Sequence, residues 1–173
     1  MDIYIIEISK AEKVKKETLK SYQKKEISNE KKWTAHCLSY LLVDKFLEEV
    51  YGIKNREIVF DNGKPILIDG GKHFSISHSN DLIVLAFSDS NCGVDIEKIK
   101  LREFASISER MGFEANTLGE FYEEWTRYEA LYKLNSNNEY GSKSVYDLEE
   151  YALTAVSEDP CEEFELFYQV DSN

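Results

Sequence analysis

The segment Gly-Val-Asp-Ile-Glu at residues 93–97 places the strongest constraint on how this chain folds. Side chains on a strand point alternately to opposite faces, so Asp95 and Glu97 share one face and the two aliphatic residues share the other. A chain that buries the aliphatic face must therefore present both carboxylates together. The segment predicts a strand that carries two acids side by side.

A second segment, residues 125–133, predicts a helix with an acid and a base on one side. Trp125, Glu129 and Lys133 are four residues apart, so they lie along one stripe of the helix. If this stripe meets the strand, three carboxylates converge beside a lysine. The same spacing also fits surface acids on an edge strand and an exposed ion pair between Glu129 and Lys133, worth about 0.3–0.5 kcal/mol.

The convergent arrangement has a specific electrostatic requirement. Two unit charges about 4 Å apart repel by about 4 kcal/mol at an effective dielectric constant of about 20. Three such carboxylates need a cation or raised pKa values. Magnesium matches this site, because it prefers oxygen ligands and bridges protein carboxylates to substrate phosphates. Asp95, Glu97 and Glu129 are therefore candidate ligands of Mg²⁺, with Lys133 placed to contact a phosphate oxygen.

Length and charge narrow the class of protein. The chain has 173 residues, which fits one compact domain or two small lobes that share a core. Its net charge is −12, although residues 9–32 hold nine lysines against four acids. A protein without a dominant basic face is not expected to bind nucleic acid. The lysine-rich stretch is either a solvated helix surface or a site for one anionic ligand or an acidic partner.

Cysteine usage and hydropathy indicate a compartment. Cys37, Cys92 and Cys161 form no close pair and have no zinc-type spacing, which favours a reducing cytoplasm. The N-terminus lacks the basic start and long apolar core of a signal peptide. No apolar run approaches the length of a membrane span, so we expect no membrane association.

Apolar periodicity and turn residues predict a mixture of strands and helices. Predicted strands lie at 3–8, 58–60, 66–68, 74–77, 82–87, 93–97, 148–156 and 164–170; predicted helices lie at 30–50, 101–111 and around 125–133. Residues 11–26 are expected to form a short helix or a loop. We expect the strands at 82–87 and 93–97 to pair as a hairpin across a short turn. Thr117 and Glu120 have the spacing of a capping box, and residues 135–138 are expected to end the helix that follows.

Four motifs occur in an order that carries further information. They are Gly63-Lys64-Pro65, Ser77-His78-Ser79, Gly-Val-Asp-Ile-Glu at 93–97 and the Trp-x-x-x-Glu-x-x-x-Lys helix at 125–133. In this order the chain resembles the 4′-phosphopantetheinyl transferase superfamily, of the type that activates peptide and polyketide synthases and carrier proteins. The resemblance implies an α+β fold in which two similar α/β lobes, approximately 1–92 and 93–173 of a single 1–173 domain, pack with a pseudo-twofold relation.

The resemblance also implies a reaction. Such an enzyme binds coenzyme A with Mg²⁺ on its diphosphate and moves phosphopantetheine to a serine of an apo acyl or peptidyl carrier protein, releasing 3′,5′-ADP. By this analogy Asp95, Glu97 and Glu129 hold the metal. Glu129 deprotonates the serine, directly or through water, and Lys133 neutralises charge on the phosphates. A two-lobed member is expected to act as a monomer.

Coenzyme A is expected to contact further residues of the motifs. The residues that the resemblance assigns to it are Lys31, Lys32, Gly63, Lys64, Pro65, Ser77, His78 and Lys133. His78 matches a histidine that contacts phosphate, and the Gly63-Lys64-Pro65 turn matches one that lies along the adenine. Lys31 or Lys32 is expected to contact the 3′-phosphate. Outside the resemblance, a histidine at a turn is more often structural, and Asn-Gly and Lys-Pro pairs are common in turns.

The sequence departs from the family pattern in several places, two of which lie in the helix at 125–133 and directly after it. Tyr128 stands where the family usually has lysine, directly before the glutamate, and Arg127 is turned about 100° away on the helix. The family's glycine-rich stretch after the helix is replaced at residues 135–140. These departures favour a second hypothesis, a catalytically weakened or inactive relative that binds coenzyme A or a carrier protein in a regulatory or scaffolding role.

Overall fold

The computed structural model describes residues 1–9, 14–23, 25–54, 56–68, 71–134 and 140–168. Its strands are β1 (Asp2–Glu7), β2 (Glu57–Asp61), β3 (Lys64–Ile68), β4 (His73–Ser79), β5 (Leu82–Ser88), β6 (Cys92–Lys98), β7 (Ser142–Leu148), β8 (Tyr151–Ser157) and β9 (Glu165–Tyr168). Its helices are α1 (Lys16–Ser21), α2 (Glu30–Glu49), α3 (Ala105–Met111) and α4 (Leu118–Leu134). The fold is α+β, with a four-stranded sheet β4-β5-β1-β9, a hairpin β2-β3 and a three-stranded sheet β6-β8-β7.

The two larger sheets share a core. Alternation along β5 sends Ile83, Leu85 and Phe87 into one cluster with α2, and sends Val84 and Ala86 into a second cluster with β1, β6 and β8. The second cluster lies between the sheets, while α4 packs on β6 and β8. Because β5 is buried on both faces, its sequence is a continuous apolar run rather than an alternating one.

The predicted hairpin between 82–87 and 93–97 is wrong. Strand β5 pairs antiparallel with β1 on one edge and with β4 on the other, so both of its edges are occupied. Strand β6 pairs with β8 instead. The turn at 89–91 therefore carries the chain from one sheet to the other.

Strands β4 and β6 are edge strands that meet through side chains. Serine hydroxyls at alternate positions of β4 accept backbone N–H groups at alternate positions of β6. These bonds are Val94 N–H to Ser75 Oγ (3.1 Å), Ile96 N–H to Ser77 Oγ (3.2 Å) and Lys98 N–H to Ser79 Oγ (3.0 Å). We call this row of three bonds the serine seam. It satisfies donors of an edge strand that backbone pairing leaves open.

Several helix predictions are confirmed at their ends. Asn29 caps α2 by accepting the Lys32 N–H at 3.0 Å, and Gly52 follows the helix with a positive φ of 68°. At the start of α4, the Thr117 side chain accepts the Glu120 N–H at 3.2 Å. The Glu120 carboxylate accepts the Thr117 N–H at 3.2 Å in return, which completes the capping box.

Two other predictions have different outcomes. The predicted end of this helix at 135–138 lies outside the described residues, as do residues 169–170 of the last predicted strand. Strand β7 was not predicted at all, and the segment 11–26 contains the short helix α1. Within the described part of the chain, no helix has an apolar stretch long enough to cross a membrane.

Candidate functional site

A cavity of about 800 Å³ lies where the β2-β3 hairpin, α2, β4 and α4 come together. Predicted site residues from all four motifs line it. They are Gly63, Lys64, Pro65, Ser77, His78, Asp95, Glu129 and Lys133. Segments that are up to 70 positions apart in the sequence thus meet around one space large enough for a nucleotide-sized ligand.

Asp95 is the most buried acid of the site, with 5% of its surface exposed. Its Oδ1 accepts two short bonds, one from the Ser77 hydroxyl and one from the Lys133 ammonium, both at 2.7 Å. Its Oδ2 is buried and has no hydrogen-bond partner among the described residues. One carboxylate oxygen is therefore fully engaged and the other is not.

Glu129 and Lys133 come to Asp95 on successive turns of α4. Glu129 is half-buried, and this burial raises the pKa of its carboxyl. The negative charge of Asp95 raises it further. The Lys133 ammonium also donates to the Val94 carbonyl at 3.0 Å. The lysine therefore binds β6 directly rather than forming an exposed i, i+4 pair with Glu129.

Glu97 has a different position from the other two acids. It follows Asp95 on the same face of β6, but it does not line the cavity, and its carboxylate accepts the Ser79 hydroxyl at 2.8 Å. Burial raises the pKa of Glu97, and the charges of Asp95 and Glu129 add to this effect. Its electrostatic interaction with both acids makes it part of the same anionic region.

The described residues contain no group of three His, Cys, Asp or Glu side chains arranged to hold a metal ion. Asp95 and Glu129 nevertheless fit Mg²⁺, which keeps several waters and binds one or two protein carboxylates together with substrate phosphates. The unpartnered Oδ2 of Asp95 is the observation that favours this fit. Glu97 as a third ligand stays a prediction.

His78 is exposed at the mouth of the cavity. Protein atoms nevertheless crowd its ring, and this desolvation lowers the pKa of the imidazole. The charge of Lys133, and with smaller effect those of Lys32 and Lys25, lowers it further. These cations make the region around His78 favourable for an anion.

Lys64 lies at the cavity wall with its ammonium already engaged. It donates to the Asn91 side chain and, at 3.0 Å, to the Cys92 carbonyl, and burial lowers its pKa. Asn91 in turn donates to the Leu134 carbonyl at the end of α4, at 2.8 Å. Lys64 therefore ties the β2-β3 hairpin to the start of β6, while Gly63, with φ of 86°, forms the turn at the rim.

The structure distinguishes among the lysines of the N-terminal stretch. Lys31 and Lys32 are exposed in the first turn of α2 and do not line the cavity, whereas Lys25 does. The count of lysines pointed to this stretch, but no local pattern singled out position 25. Its place at the cavity depends on the tertiary position of the segment before α2.

Aromatic side chains at the cavity were also missed by sequence reasoning. Tyr132 and Phe60 line it with 72% and 51% of their surface exposed. Tyr128, which stands in place of the family lysine, is not among the lining residues and has its ring 6.1 Å from that of Phe113. Arg127 pairs with Glu124 at 2.5 Å, so it does not replace the missing cation.

No protein-family model matches the chain. Three curated proteins are similar to it. They are 4′-phosphopantetheinyl transferase psf-1 of Bacillus pumilus (32% identical over 124 residues, 62% of this chain and 52% of that protein), 4′-phosphopantetheinyl transferase gsp of Aneurinibacillus migulanus (33% over 109 residues, 56% and 46%) and 4′-phosphopantetheinyl transferase ffp of Bacillus subtilis (39% over 67 residues, 36% and 30%). The chain spans about half the length of the first two. These similarities confirm the resemblance that the four motifs indicated: the chain is similar in sequence to 4′-phosphopantetheinyl transferases over more than half of its length.

Proposed function

We propose that this chain transfers the phosphopantetheine arm of coenzyme A to a serine of an apo carrier protein, in a Mg²⁺-dependent reaction that releases 3′,5′-ADP. The observation that carries the proposal is the convergence of all four motifs on one cavity. The three similar proteins bear the name of this activity, which supports the same conclusion.

The basic groups of the cavity are suited to hold the phosphates. His78 and Lys25 lie at the wall with positive charge nearby, and the exposed rings of Tyr132 and Phe60 offer faces for the adenine or the pantetheine arm. Lys64 acts through its bonds to Asn91 and Cys92, which hold the hairpin that closes one side of the cavity.

The acids of the cavity are suited to the transfer step. Bound Mg²⁺ would neutralise the diphosphate and stabilise the departing phosphate of 3′,5′-ADP. Asp95 and Glu129 would hold it, with Glu97 as a further ligand or as a neighbouring charge. Glu129 accepts the proton of the carrier serine as the serine oxygen bonds to the β-phosphorus, and the electron pair of the broken P–O bond leaves with 3′,5′-ADP. Lys133, next to Asp95, stabilises the negative charge on the phosphate oxygens.

The architecture is proposed to be two-lobed, with lobes near 1–92 and 93–173. Two chain segments repeat the same order in support of this. In each, a first strand (β1 or β6) is followed by a helix (α2 or α4) and then by an antiparallel strand pair whose second member pairs with the first strand. Each helix packs on the outer side of its own sheet. Two features depart from the repeat: the β2-β3 hairpin is inserted between α2 and β4, and strand β9 pairs with β1.

We also propose that the protein acts as a monomer in the cytoplasm, without binding nucleic acid. Its three cysteines are free thiols, which fits a reducing compartment. The net charge of −12 disfavours contacts with a phosphate backbone.

A weakened or inactive relative is the second candidate, motivated by Tyr128. Tyr128 does not line the cavity, and the described part of the cavity wall keeps Lys25, Lys64 and Lys133 as cations. This observation favours the enzyme over the non-catalytic relative.

The test is incubation of the protein with coenzyme A, Mg²⁺ and a panel of apo carrier proteins, followed by mass spectrometry of the carriers. Transfer predicts a mass gain of one phosphopantetheine on the carrier serine and an equal amount of 3′,5′-ADP. Calorimetric binding of coenzyme A without transfer to any carrier would favour the second candidate. Absence of both binding and transfer would refute the two together.

A further inference from the structure

Two hydroxyls of the serine seam make a second bond that the joining of two strands does not need: Ser77 donates to Asp95, and Ser79 donates to Glu97 at 2.8 Å. Ser75 and Ser77 are both buried, with 4% and 6% of their surface exposed, and each accepts one N–H of β6. Ser77 differs because its hydroxyl proton is donated to Asp95 Oδ1 at 2.7 Å. The same oxygen receives the Lys133 ammonium.

Two donors on one oxygen set the orientation of the whole carboxylate. A carboxylate has about four lone-pair sites, and leaving a buried charged oxygen without partners is costly. In Asp95 the donors converge on Oδ1, while Oδ2 has no partner among the described residues. The side chain is thus held in an orientation that leaves one buried oxygen for another ligand at the cavity.

We propose that Ser77 is a positioning residue for the metal: its hydroxyl, bound to the backbone of β6, fixes Asp95 so that Oδ1 is satisfied by protein donors and Oδ2 binds Mg²⁺. The proposal rests on the function proposed above. It assigns Ser77 a role through Asp95, in place of the direct contact with coenzyme A that the motif implied. Groups that orient metal ligands in this way alter metal affinity about 10–100-fold when they are removed.

Ser75 provides a matched control. Ser75→Ala and Ser77→Ala each remove one hydroxyl from the seam at similar burial, and each leaves one β6 N–H without its acceptor. Ser77→Ala should be the more destabilising of the two, because it also removes the bond to the buried carboxylate of Asp95. Only Ser77→Ala removes a donor to a carboxylate, so only this variant should change metal binding.

The experiment is calorimetric titration of Mg²⁺ into the protein with coenzyme A present, together with thermal denaturation of each variant. We expect Ser77→Ala to weaken Mg²⁺ binding at least tenfold, Ser75→Ala to change it less than about twofold, and Ser77→Thr, which keeps a hydroxyl, to recover most of the affinity. If Ser77→Ala does not fold, Ser77→Cys, which fills the space with a weak donor, is compared with Ser75→Cys in the same way.

Equal Mg²⁺ affinity in the two alanine variants, or in the two cysteine variants, would overturn the positioning role. Absence of Mg²⁺ binding by the unmodified protein would overturn it as well. The carrier assay is separate: if the unmodified protein binds Mg²⁺ and Ser77→Ala weakens that binding while no carrier is modified, the transferase proposal fails and the positioning role stands.

Discussion

Gly93 lies directly against the backbone of α4 at Ala130. A Cβ at position 93 would lie 2.0 Å from the Ala130 carbonyl oxygen and 2.9 Å from the Leu134 nitrogen. The helix and β6 are therefore in backbone contact at this point. Glu129 directly precedes Ala130 and Lys133 directly precedes Leu134, so this contact sets how closely the two side chains approach Asp95.

The first prediction concerns this contact. Gly93→Ala should lower the free energy of unfolding by at least about 1–3 kcal/mol, because backbone atoms must move to admit the methyl group. The displaced helix should also weaken coenzyme A binding. Gly119→Ala is the control on the same helix, since its nearest atom would lie 4.0 Å away. It should be neutral or stabilising by up to about 1 kcal/mol. Denaturant titration of both variants measures the change in the free energy of unfolding. Equal changes for Gly93→Ala and Gly119→Ala would contradict the prediction.

The second prediction concerns Glu129. Glu129→Gln should reduce transfer about 10²–10⁴-fold, the usual contribution of a general base. In the absence of metal, the same variant should have a higher melting temperature at pH 8. The native pKa of Glu129 is raised, so folding favours the protonated form, and stability falls as the pH rises from the unfolded pKa through the native one. The neutral amide removes this loss.

Differential scanning calorimetry at pH 8 and the carrier assay measure the two effects of this variant. Glu123→Gln, at an exposed position of α4, is the control and should alter neither. Transfer by Glu129→Gln at the unmodified rate would remove Glu129 from the proposed base and metal roles.

The third prediction separates the lysines near α2. Lys25→Ala should weaken coenzyme A binding about tenfold, which is the lower end of the range for loss of a hydrogen bond to a charged group. Lys31→Ala and Lys32→Ala should weaken binding less. Binding of coenzyme A that lacks the 3′-phosphate identifies the group contacted. If Lys25 binds that phosphate, the Lys25→Ala variant should bind both ligands with similar affinity. A larger loss for Lys31→Ala or Lys32→Ala would restore the contact expected from the sequence.

The fourth prediction concerns the pH dependence of stability. The native pKa of His78 is lowered by desolvation and by the charge of Lys133, so the unfolded chain binds more protons below about pH 6.5. The contribution of His78 to stability should therefore decrease as the pH falls from about 6.5 through its lowered native pKa, whereas the raised pKa values of Glu97 and Glu129 contribute with the opposite sign. His78→Gln should make this decrease smaller, as measured by urea unfolding between pH 7 and pH 5. An unchanged slope would mean that His78 titrates alike in both states.

Local patterns were sufficient for much of the fold. Asp95 and Glu97 lie on the same face of a strand, and the capping box at Thr117 and Glu120 forms as predicted, because both depend on residues close in sequence. The grouping of Asp95 with Glu129 and Lys133 at one cavity came from the order of motifs rather than from any local rule.

Partner choice between strands was not predictable in the same way. The short turn at 89–91 favoured pairing of β5 with β6. Instead, β4 pairs with one edge of β5 across an equally short turn at 80–81, and β1, which is distant in sequence, pairs with the other edge. The pairing with β1 is not visible in a local window. Strand β7 was missed because it is an edge strand with every second residue exposed and few strongly apolar side chains. The position of Lys25 likewise depends on tertiary packing of a polar segment.

The serine seam has a consequence for which substitutions the chain tolerates. A main-chain carbonyl can only accept, whereas a hydroxyl accepts and donates at once, so ordinary pairing of β4 with β6 would join the sheets but leave no proton for Asp95 or Glu97. The serine oxygens therefore contribute both to the contact between β4 and β6 and to the hydrogen bonding of the acids. Substitutions at positions 77 and 79 are therefore expected to weaken both the contact between the strands and the hydrogen bonds to the acids, even where the strands remain well packed.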